Sequence, residues 1–314
     1  MVSLAGIKRV HARGGFPLVV AESFCRTRRA AADALRISYR QRMRVGNNFL
    51  VVTVRPETAD ILSWRPSWKT QLISTVQACR GGQFLDVGAN IGQTLLDYCA
   101  GTERKGYFGF EPIPGCADYL KVLTDDNNLL DCVIVPAALS SQNTVVKLYR
   151  DERFSTDSGA TLLEELRPNA CVSRQLVCCY RFDDIRACID ATDAFGLIKI
   201  DVEGAELQVI EGMENTICSD RPWILCEVLN RDVAADAARH EERCTALYKR
   251  MQVLGYDIMR IQKTSEEDAI LNLLPIKEFP NWAFTEADRP QMDYLFVPSN
   301  ERALAAERFS INAN

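Results

Sequence analysis

An apolar strand pattern followed at once by a glycine-containing turn marks the first candidate site. Residues 84–92 read FLDVGANIG, which favours a buried strand, and a helix starts near Gln93. Glycine lets a ligand approach the backbone, and the N–H groups of such a turn suit an anion or a carboxylate. We expect Asp86 to accept from the amino group of a zwitterionic ligand, directly or through water, while Asn90 and the loop amides meet its carboxylate. These demands fit the methionine end of S-adenosylmethionine.

Two other interpretations of this turn stay open. A dinucleotide-binding fold brings the three glycines of a G-x-G-x-x-G fingerprint to a pyrophosphate. This turn has only Gly88 and Gly92, and a carboxylate at Asp86 would repel a pyrophosphate, so the nicotinamide alternative is weaker. A glycine turn with a purely structural role is the remaining alternative.

A second acidic residue, Glu111, ends the next strand pattern and is followed by Pro112. A carboxylate at this position of a nucleotide-binding sheet binds ribose hydroxyls. Glu111 therefore predicts a nucleoside without identifying a reaction, and a solvent-exposed glutamate at a strand end is the alternative.

Two further carboxylates, Asp201 and Glu203, follow an apolar strand pattern at residues 197–200. Open α/β sheets bind ligands at the carboxyl ends of their strands, near the topological switch point. Methyl transfer from a sulfonium is an in-line displacement that needs alignment and, for a hydroxyl acceptor, a base. We therefore predict Asp201 and Glu203 as catalytic residues. The alternative is that Glu203 and Glu206 stabilise the N-terminus of the next helix through its dipole.

The elements that position these residues alternate between strands and helices from residue 84 onward, which is typical of a parallel sheet. We predict an α/β, Rossmann-like fold with helices on both faces. The predicted core strands are residues 84–87, 107–110, 132–135, 197–200, 223–228, 256–261 and 294–297. The last two are separated by a long loop, residues 262–290, without a helix, which predicts an antiparallel hairpin at the sheet edge and seven core strands. Added strands at 145–149 and 176–181 flank a polar insertion, residues 151–174, where we expect substrate-specific structure.

The regions outside this core are predicted as extensions. We expect a basic N-terminal extension over residues 1–65, a methyltransferase-like core domain over 66–299, and a C-terminal tail, 300–314, that frays. Within the extension, the sequence favours a helix at Glu22–Arg44 and a short strand at Phe49–Val54; a further helix at about Pro66–Cys79 leads into the core.

Composition and charge exclude several classes of protein. The chain is 47% apolar and 25% charged, which is typical of a soluble globular protein. The sequence has no run of about 18 apolar residues, so we predict no transmembrane segment. The apolar stretch Phe16–Val20 is too short for a signal peptide, and we therefore expect a cytoplasmic location. With only two histidines and no C-x-x-C pair, we expect no metal site, and we expect the irregularly spaced cysteines to be reduced.

A basic arm contrasts with an acidic body. Residues 1–48 carry Lys8 and nine arginines against Glu22 and Asp33, whereas the whole chain has a net charge of −5. Because no aromatic interleaving or nucleic-acid motif accompanies the arm, we favour a solvated face or a docking arm over a nucleic-acid site.

Taken together, the segments FLDVGANIG, FEP, LIKIDVEGAELQVIEGM and PWILCEV resemble the FkbM family of methyltransferases. The resemblance implies a seven-stranded class I methyltransferase sheet, S-adenosylmethionine as donor, and usually O-methylation of a hydroxyl on a sugar or polyketide-like product. It implies that the cofactor is bound by Asp86, Gly88, Ala89, Asn90, Gly92, Glu111, Pro112, Ala137, Ala138 and Asp201, and that residues 158–161 close over the substrate.

These features predict an S-adenosylmethionine-dependent O-methyltransferase that acts on a hydroxyl of a sugar, glycan or secondary metabolite. Two alternatives stay open: a catalytically inactive scaffold that binds the cofactor, and an RNA methyltransferase that uses the basic arm. The acidic core and the lack of an N-P-P-Y-like tetrad or a recognisable catalytic cysteine argue against nucleic acid as the acceptor. The sequence leaves open whether the chain forms a homo-oligomer.

Overall fold

The computed structural model describes residues 38–55, 58, 62, 66–101, 104–151, 156–157, 159–166, 172–229, 237–281 and 292–309. The strands are β1 Tyr39–Val45, β2 Asn48–Val54, β3 Gln83–Val87, β4 Tyr107–Phe110, β5 Cys132–Val135, β6 Ala138–Leu139, β7 Thr144–Asp151, β8 Val172–Tyr180, β9 Phe195–Ile200, β10 Trp223–Glu227, β11 Tyr256–Lys263, β12 Ile270–Pro275 and β13 Asp293–Pro298. The α-helices are α1 Ser67–Arg80, α2 Gln93–Ala100, α3 Pro114–Asp126, α4 Phe182–Ile185, α5 Glu206–Gly212, α6 Glu214–Asp220, α7 Ala237–Val253 and α8 Arg302–Phe309.

A mixed sheet of eight strands forms the centre of the molecule, in the order β12-β11-β13-β10-β9-β3-β4-β5. Strands β5, β4, β3, β9 and β10 run parallel to one another, whereas β13 is antiparallel to both β10 and β11. This arrangement confirms the predicted α/β, Rossmann-like class with its antiparallel strands at one end. The carboxyl ends of the parallel strands meet along one edge, where residues that follow β3, β4 and β9 come together.

The sheet has one strand more than the sequence predicted. Strand β12, Ile270–Pro275, pairs antiparallel with β11 and forms the outermost strand. It lies inside the segment predicted as a long loop, residues 262–290. The reason is its burial pattern. Ile270 and Leu273 are buried, whereas neither of the two residues between them is, so the apolar pattern over six residues is short and irregular.

Side chains of the parallel strands alternate between two apolar layers, as the pleat of a strand requires. Phe84 and Leu197 face the layer that contains α1, α2, α3 and α8, whereas Leu85 and Ile198 face the layer that contains α5, α6 and α7. Both faces of the sheet are therefore covered by helices, as predicted. None of the helices that the structure describes combines the length and the apolar character needed to cross a membrane.

The prediction of a helix from Glu22 to Arg44 is wrong at its C-terminal end, because Tyr39–Val45 is strand β1 of a hairpin with β2. Exposed arginines 40, 42 and 44 alternate with more buried residues, which is the period of a strand and not of a helix. The earlier part of that helix lies outside the described residues, as does most of the basic arm. The hairpin packs on α3, where Asn127 donates to Val51 O at 2.8 Å and accepts from Val51 N at 2.6 Å.

Two other regions complete the fold around the central sheet. The added strands predicted near residues 145–149 and 176–181 are confirmed as β7 and β8, which form a separate three-stranded sheet with β6. The C-terminal tail, which was expected to fray, is helical up to residue 309. Phe309 at the end of α8 is buried, and its ring centroid lies 6.4 Å from that of Trp223. Residues 310–314 lie outside the described part.

Candidate active site

A cavity of about 420 Å³ opens at the carboxyl edge of the parallel strands. Its wall includes the turn after β3, the residues that follow β4 and β9, the last residue of β10, and the N-terminal ends of α1 and α2. The insertion between β7 and β8 contributes Asp157, Ala160 and Leu162 to the same wall. The described part of the insertion therefore forms part of the cavity wall, and the expectation of substrate-specific structure there stays a prediction.

The turn after β3 is shaped by contact with β9. Gly88 has a φ of +82°, and a Cβ on this residue would lie 1.9 Å from the carbonyl oxygen of Asp201. Val87 O accepts a hydrogen bond from Asp201 N at 3.0 Å, which holds the ends of β3 and β9 together. Only glycine fits at position 88, and the reason is the neighbouring backbone.

The amides of the turn are engaged within the protein. Gly88 N and Ala89 N both donate to Phe110 O at 3.0 Å, and Gly92 N donates to Ala89 O at 2.9 Å. Asn90 N donates to a carboxylate oxygen of Glu111 at 2.8 Å. These four amides already have acceptors within the protein, and the contact of the turn with a ligand carboxylate stays a prediction.

Glu111 lies in the cavity wall and is only 4% exposed. One carboxylate oxygen accepts from Asn90 N, and the other accepts from Ile113 N at 2.7 Å. Burial raises the pKa of Glu111 to about 7, although both N–H donors favour the ionised form. Each carboxylate oxygen has a second lone pair, so hydroxyl groups in the cavity can still donate to it. Pro112 lies beside it in the wall, where it was predicted.

Lys199, a residue that sequence analysis missed, joins the two acidic segments. Its ammonium lies 3.3 Å from Asp86 Oδ1 and 3.2 Å from Asp201 Oδ2, and it donates to Gly88 O at 2.8 Å. Burial alone would lower the pKa of Lys199, but Asp201 and Asp86 raise it, so the side chain is a cation at neutral pH. A lysine inside the apolar strand β9 was the signal that could have identified this residue.

Three predicted cofactor residues lie behind the cavity wall. Asp86 is fully buried between Lys199 and the Tyr107 hydroxyl, which donates to it at 2.5 Å. The predicted direct contact between Asp86 and a ligand amino group does not fit this position. Gly92 packs against α3, since a Cβ there would lie 2.7 Å from a methyl group of Leu120. Ala137 is 2% exposed and does not line the cavity, whereas Ala138 does.

The two predicted catalytic residues, Asp201 and Glu203, both lie in the cavity wall. Asp201 has a side chain that is 25% exposed and oriented by Lys199. Glu203 has a φ of +54°, which is strained for a residue with a side chain, and its carbonyl accepts from Thr161 Oγ1 at 2.6 Å. This bond ties the insertion to the end of β9. Glu206, the residue considered for helix capping, accepts from Gly204 N at 2.8 Å at the start of α5.

A second group of charged residues, which the sequence analysis also missed, lines the cavity beyond Asp201. It consists of Lys69 at the start of α1, Glu227 at the end of β10, Glu267 and Asp293. Lys263 neutralises two of them, because its ammonium lies 2.6 Å from Asp293 and 3.1 Å from Glu267.

Glu227 differs from its neighbours in this group. In the part of the chain that the structure describes, no cation pairs with its carboxylate and no donor bonds to it. Burial, followed by the nearby charges of Asp201 and Asp293, raises the pKa of Glu227 to about 8. Such a carboxylate can accept a proton near neutral pH.

The strand order and the cavity at the carboxyl edge define a Rossmann-like class I methyltransferase fold. The family described as the Methyltransferase FkbM domain matches residues 86–258, which is more than half of the 314 residues. The chain therefore belongs to the FkbM family of methyltransferases, and the resemblance seen in the sequence is confirmed.

Comparison with solved structures finds distant similarity. The methyltransferase FkbM from Methylobacillus flagellatus KT is 15% identical over 69% of this chain, with a TM-score of 0.40, and this chain spans only 43% of that protein. The cofactor-bound Rv0187 from MTB is 12% identical over 95% of this chain and 99% of its own, with a TM-score of 0.38. The SAM-dependent O-methyltransferase TM0748 from Thermotoga maritima is 10% identical over 82% of this chain and 76% of its own, with a TM-score of 0.34. No curated protein matches the sequence.

Proposed function

We propose that this chain is an S-adenosylmethionine-dependent O-methyltransferase that acts on a hydroxyl of a sugar, glycan or secondary metabolite. One observation carries the proposal: a single cavity joins the buried carboxylate of Glu111 to a group of carboxylates at the ends of β9 and β10. The first suits the hydroxyls of a ribose. The second suits an acceptor that loses a proton as it is methylated.

The residues present fit the donor. Glu111 would accept from the ribose hydroxyls with the lone pairs that its backbone partners leave open. Pro112, Ile113, Ala138 and Leu139 give an apolar wall next to it for the adenine ring. When bound, the donor supplies a methyl group on a positively charged sulfur, and the carboxylates beyond Asp201 favour this charge.

Removal of the acceptor's proton falls to a carboxylate in the same wall. Asp201 and Glu203 are the candidates from the sequence, and Asp201 is held by Lys199. Glu227 is the better base, because its carboxylate has no cation partner among the described residues and its pKa is raised to about 8. Glu227 would accept the proton that the acceptor hydroxyl loses. The methyl group supplied by the donor would pass to the acceptor oxygen, and the electron pair of its bond to sulfur would leave with the sulfur, which becomes a neutral thioether. Asp201 and Glu203 would then position the acceptor.

The experiment that tests this function is transfer of a labelled methyl group from S-adenosylmethionine to cell extracts fractionated by chemical class. We expect label in a glycan, glycolipid or small-metabolite fraction, and mass spectrometry of the product should locate the methyl group on oxygen. Label confined to RNA or to protein would contradict the proposal. Donor binding without transfer to any fraction would instead favour the inactive scaffold.

A further inference from the structure

The amino-acid end of the donor needs a partner for its carboxylate, and most of the backbone amides of the turn after β3 already have an acceptor. Four of its amides donate to acceptors within the protein, two to Phe110 O, one to Glu111 and one to Ala89 O. A ligand carboxylate placed there would find these four amides already bonded to other acceptors. A charged donor elsewhere in the wall would bind this carboxylate more strongly than a neutral amide does.

Lys69 is the cation in the wall that is available for it. It is the third residue of α1, and it lines the same cavity as Gly88 and Asn90. Within the described residues its ammonium forms no hydrogen bond or ion pair, and it lies 5.5 Å from the ring centroid of Trp68. By contrast, Lys199 is bound by Asp86 and Asp201.

The surroundings of Lys69 keep it charged. Burial would lower its pKa, but Asp293, Glu227 and Asp201 outweigh this effect and raise it. The ammonium is therefore protonated at neutral pH. It is also the group in the wall that can offset the repulsion between a ligand carboxylate and these three acidic residues.

We propose that Lys69 binds the α-carboxylate of S-adenosylmethionine in the cavity and so fixes the amino-acid end of the donor. This inference rests on the proposed function, because it needs that donor in the cavity. Lys69 acts in binding and takes no part in proton transfer.

The test compares two ligands that differ only in the carboxylate. We would titrate S-adenosylmethionine and decarboxylated S-adenosylmethionine into the wild-type protein and into Lys69→Met by calorimetry. The affinity of Lys69→Met for S-adenosylmethionine should fall by about fivefold or more, since a charge-assisted hydrogen bond is lost. Its affinity for the decarboxylated ligand should stay the same or rise, because a repulsive positive charge is removed. Lys121→Met, which changes an exposed lysine of α3 outside the cavity wall, is the matched control and should change neither.

The outcomes separate this inference from the function on which it rests. An equal loss for both ligands, or a loss below about fivefold for S-adenosylmethionine, would overturn the role of Lys69. If the wild-type protein bound neither ligand, the proposed function itself would fail. If Lys69→Met does not fold, the two ligands are compared in the wild type and in Lys69→Arg. Both proteins should bind S-adenosylmethionine more tightly than the decarboxylated ligand, although the decarboxylated ligand carries more positive charge. The reverse order in an acidic cavity would overturn the inference.

Discussion

The ammonium of Lys199 lies 3.3 Å from a carboxylate oxygen of Asp86, directly beneath the turn that begins the candidate site. Asp86 is fully buried, so Lys199 compensates a charge that water does not reach. The same ammonium bonds to Asp201 and to Gly88 O, and thus fixes the ends of β3 and β9 relative to each other. Lys199 therefore contributes to the shape of the site.

Lys199→Met should therefore lower the free energy of unfolding by about 3–5 kcal/mol, because it leaves the buried charge of Asp86 unpaired. Denaturant titration measures this. Lys121→Met removes an ion pair with Asp125 in which both side chains are exposed, and it should cost about 0–1 kcal/mol. The double variant Lys199→Met/Asp86→Asn should recover part of the loss. Equal stability of the two single variants would contradict the account of Lys199.

A comparison of two glycines tests the contact between β3 and β9. Gly88 and Gly81 both have a positive φ, but a Cβ on Gly81 meets nothing within 4 Å, whereas one on Gly88 lies 1.9 Å from Asp201 O. Both alanine variants should lose about 1–3 kcal/mol to backbone strain. Gly88→Ala should lose about 1–3 kcal/mol more through the collision. Thermal unfolding would measure both losses. If Gly88→Ala were as stable as Gly81→Ala, the contact between residue 88 and the carbonyl oxygen of Asp201 would be looser than described.

The parts of this fold that the sequence predicted are those with a strong period and a single burial environment. Strand β3 is buried at every position, so its apolar run was clear, and the family segments placed Glu111 and Asp201 in the cavity wall. Strand β12 was missed because its alternation is weak over six residues. The N-terminal strand β1 lies in a segment without proline or glycine, which favours a helix. The alternation of its arginines, which favours a strand, covers only a few residues.

The site itself was less predictable, because its chemistry depends on tertiary partners. No pattern in residues 84–92 indicates that Phe110 O takes two of the turn amides, since this acceptor belongs to the next strand. Lys69 and Glu227 come from segments far apart in the chain and meet only through the sheet order. Lys199 alone gave a local signal, as a charge in an apolar strand.

The stability of the protein should depend on pH through buried carboxyl groups such as Glu206. Burial raises the pKa of Glu206 from the ordinary 4.5 to about 7, so the folded chain keeps a proton that the unfolded chain releases between these values. The free energy of unfolding should therefore be greatest near the lower limit of this window and fall as the pH rises through it. Denaturation at about pH 5 and about pH 7.5 measures the fall. Glu206→Gln should make it smaller, and an unchanged fall would contradict the burial of this group as its cause.

The pH dependence of methyl transfer tests Glu227 as the base. With the acceptor found by labelled transfer, kcat should rise with pH through about 8, as the carboxyl of Glu227 ionises. Glu227→Gln should lower kcat by about 100-fold or more and remove this rise. Glu267→Gln is the matched control, because Glu267 lines the same cavity but is paired with Lys263. A Glu227→Gln variant that kept the rise would assign the proton to another group.

Binding of S-adenosylmethionine is the most direct test of the central claim, that the cavity at the ends of β3, β4 and β9 holds this donor with its ribose on Glu111. Calorimetric titration of the wild-type protein should give a complex with one ligand per chain. Glu111→Gln should weaken that complex by about tenfold or more, because hydroxyls lose a charged acceptor. If the wild type bound no S-adenosylmethionine, or if Glu111→Gln bound it equally well, the site described here would not be the donor site.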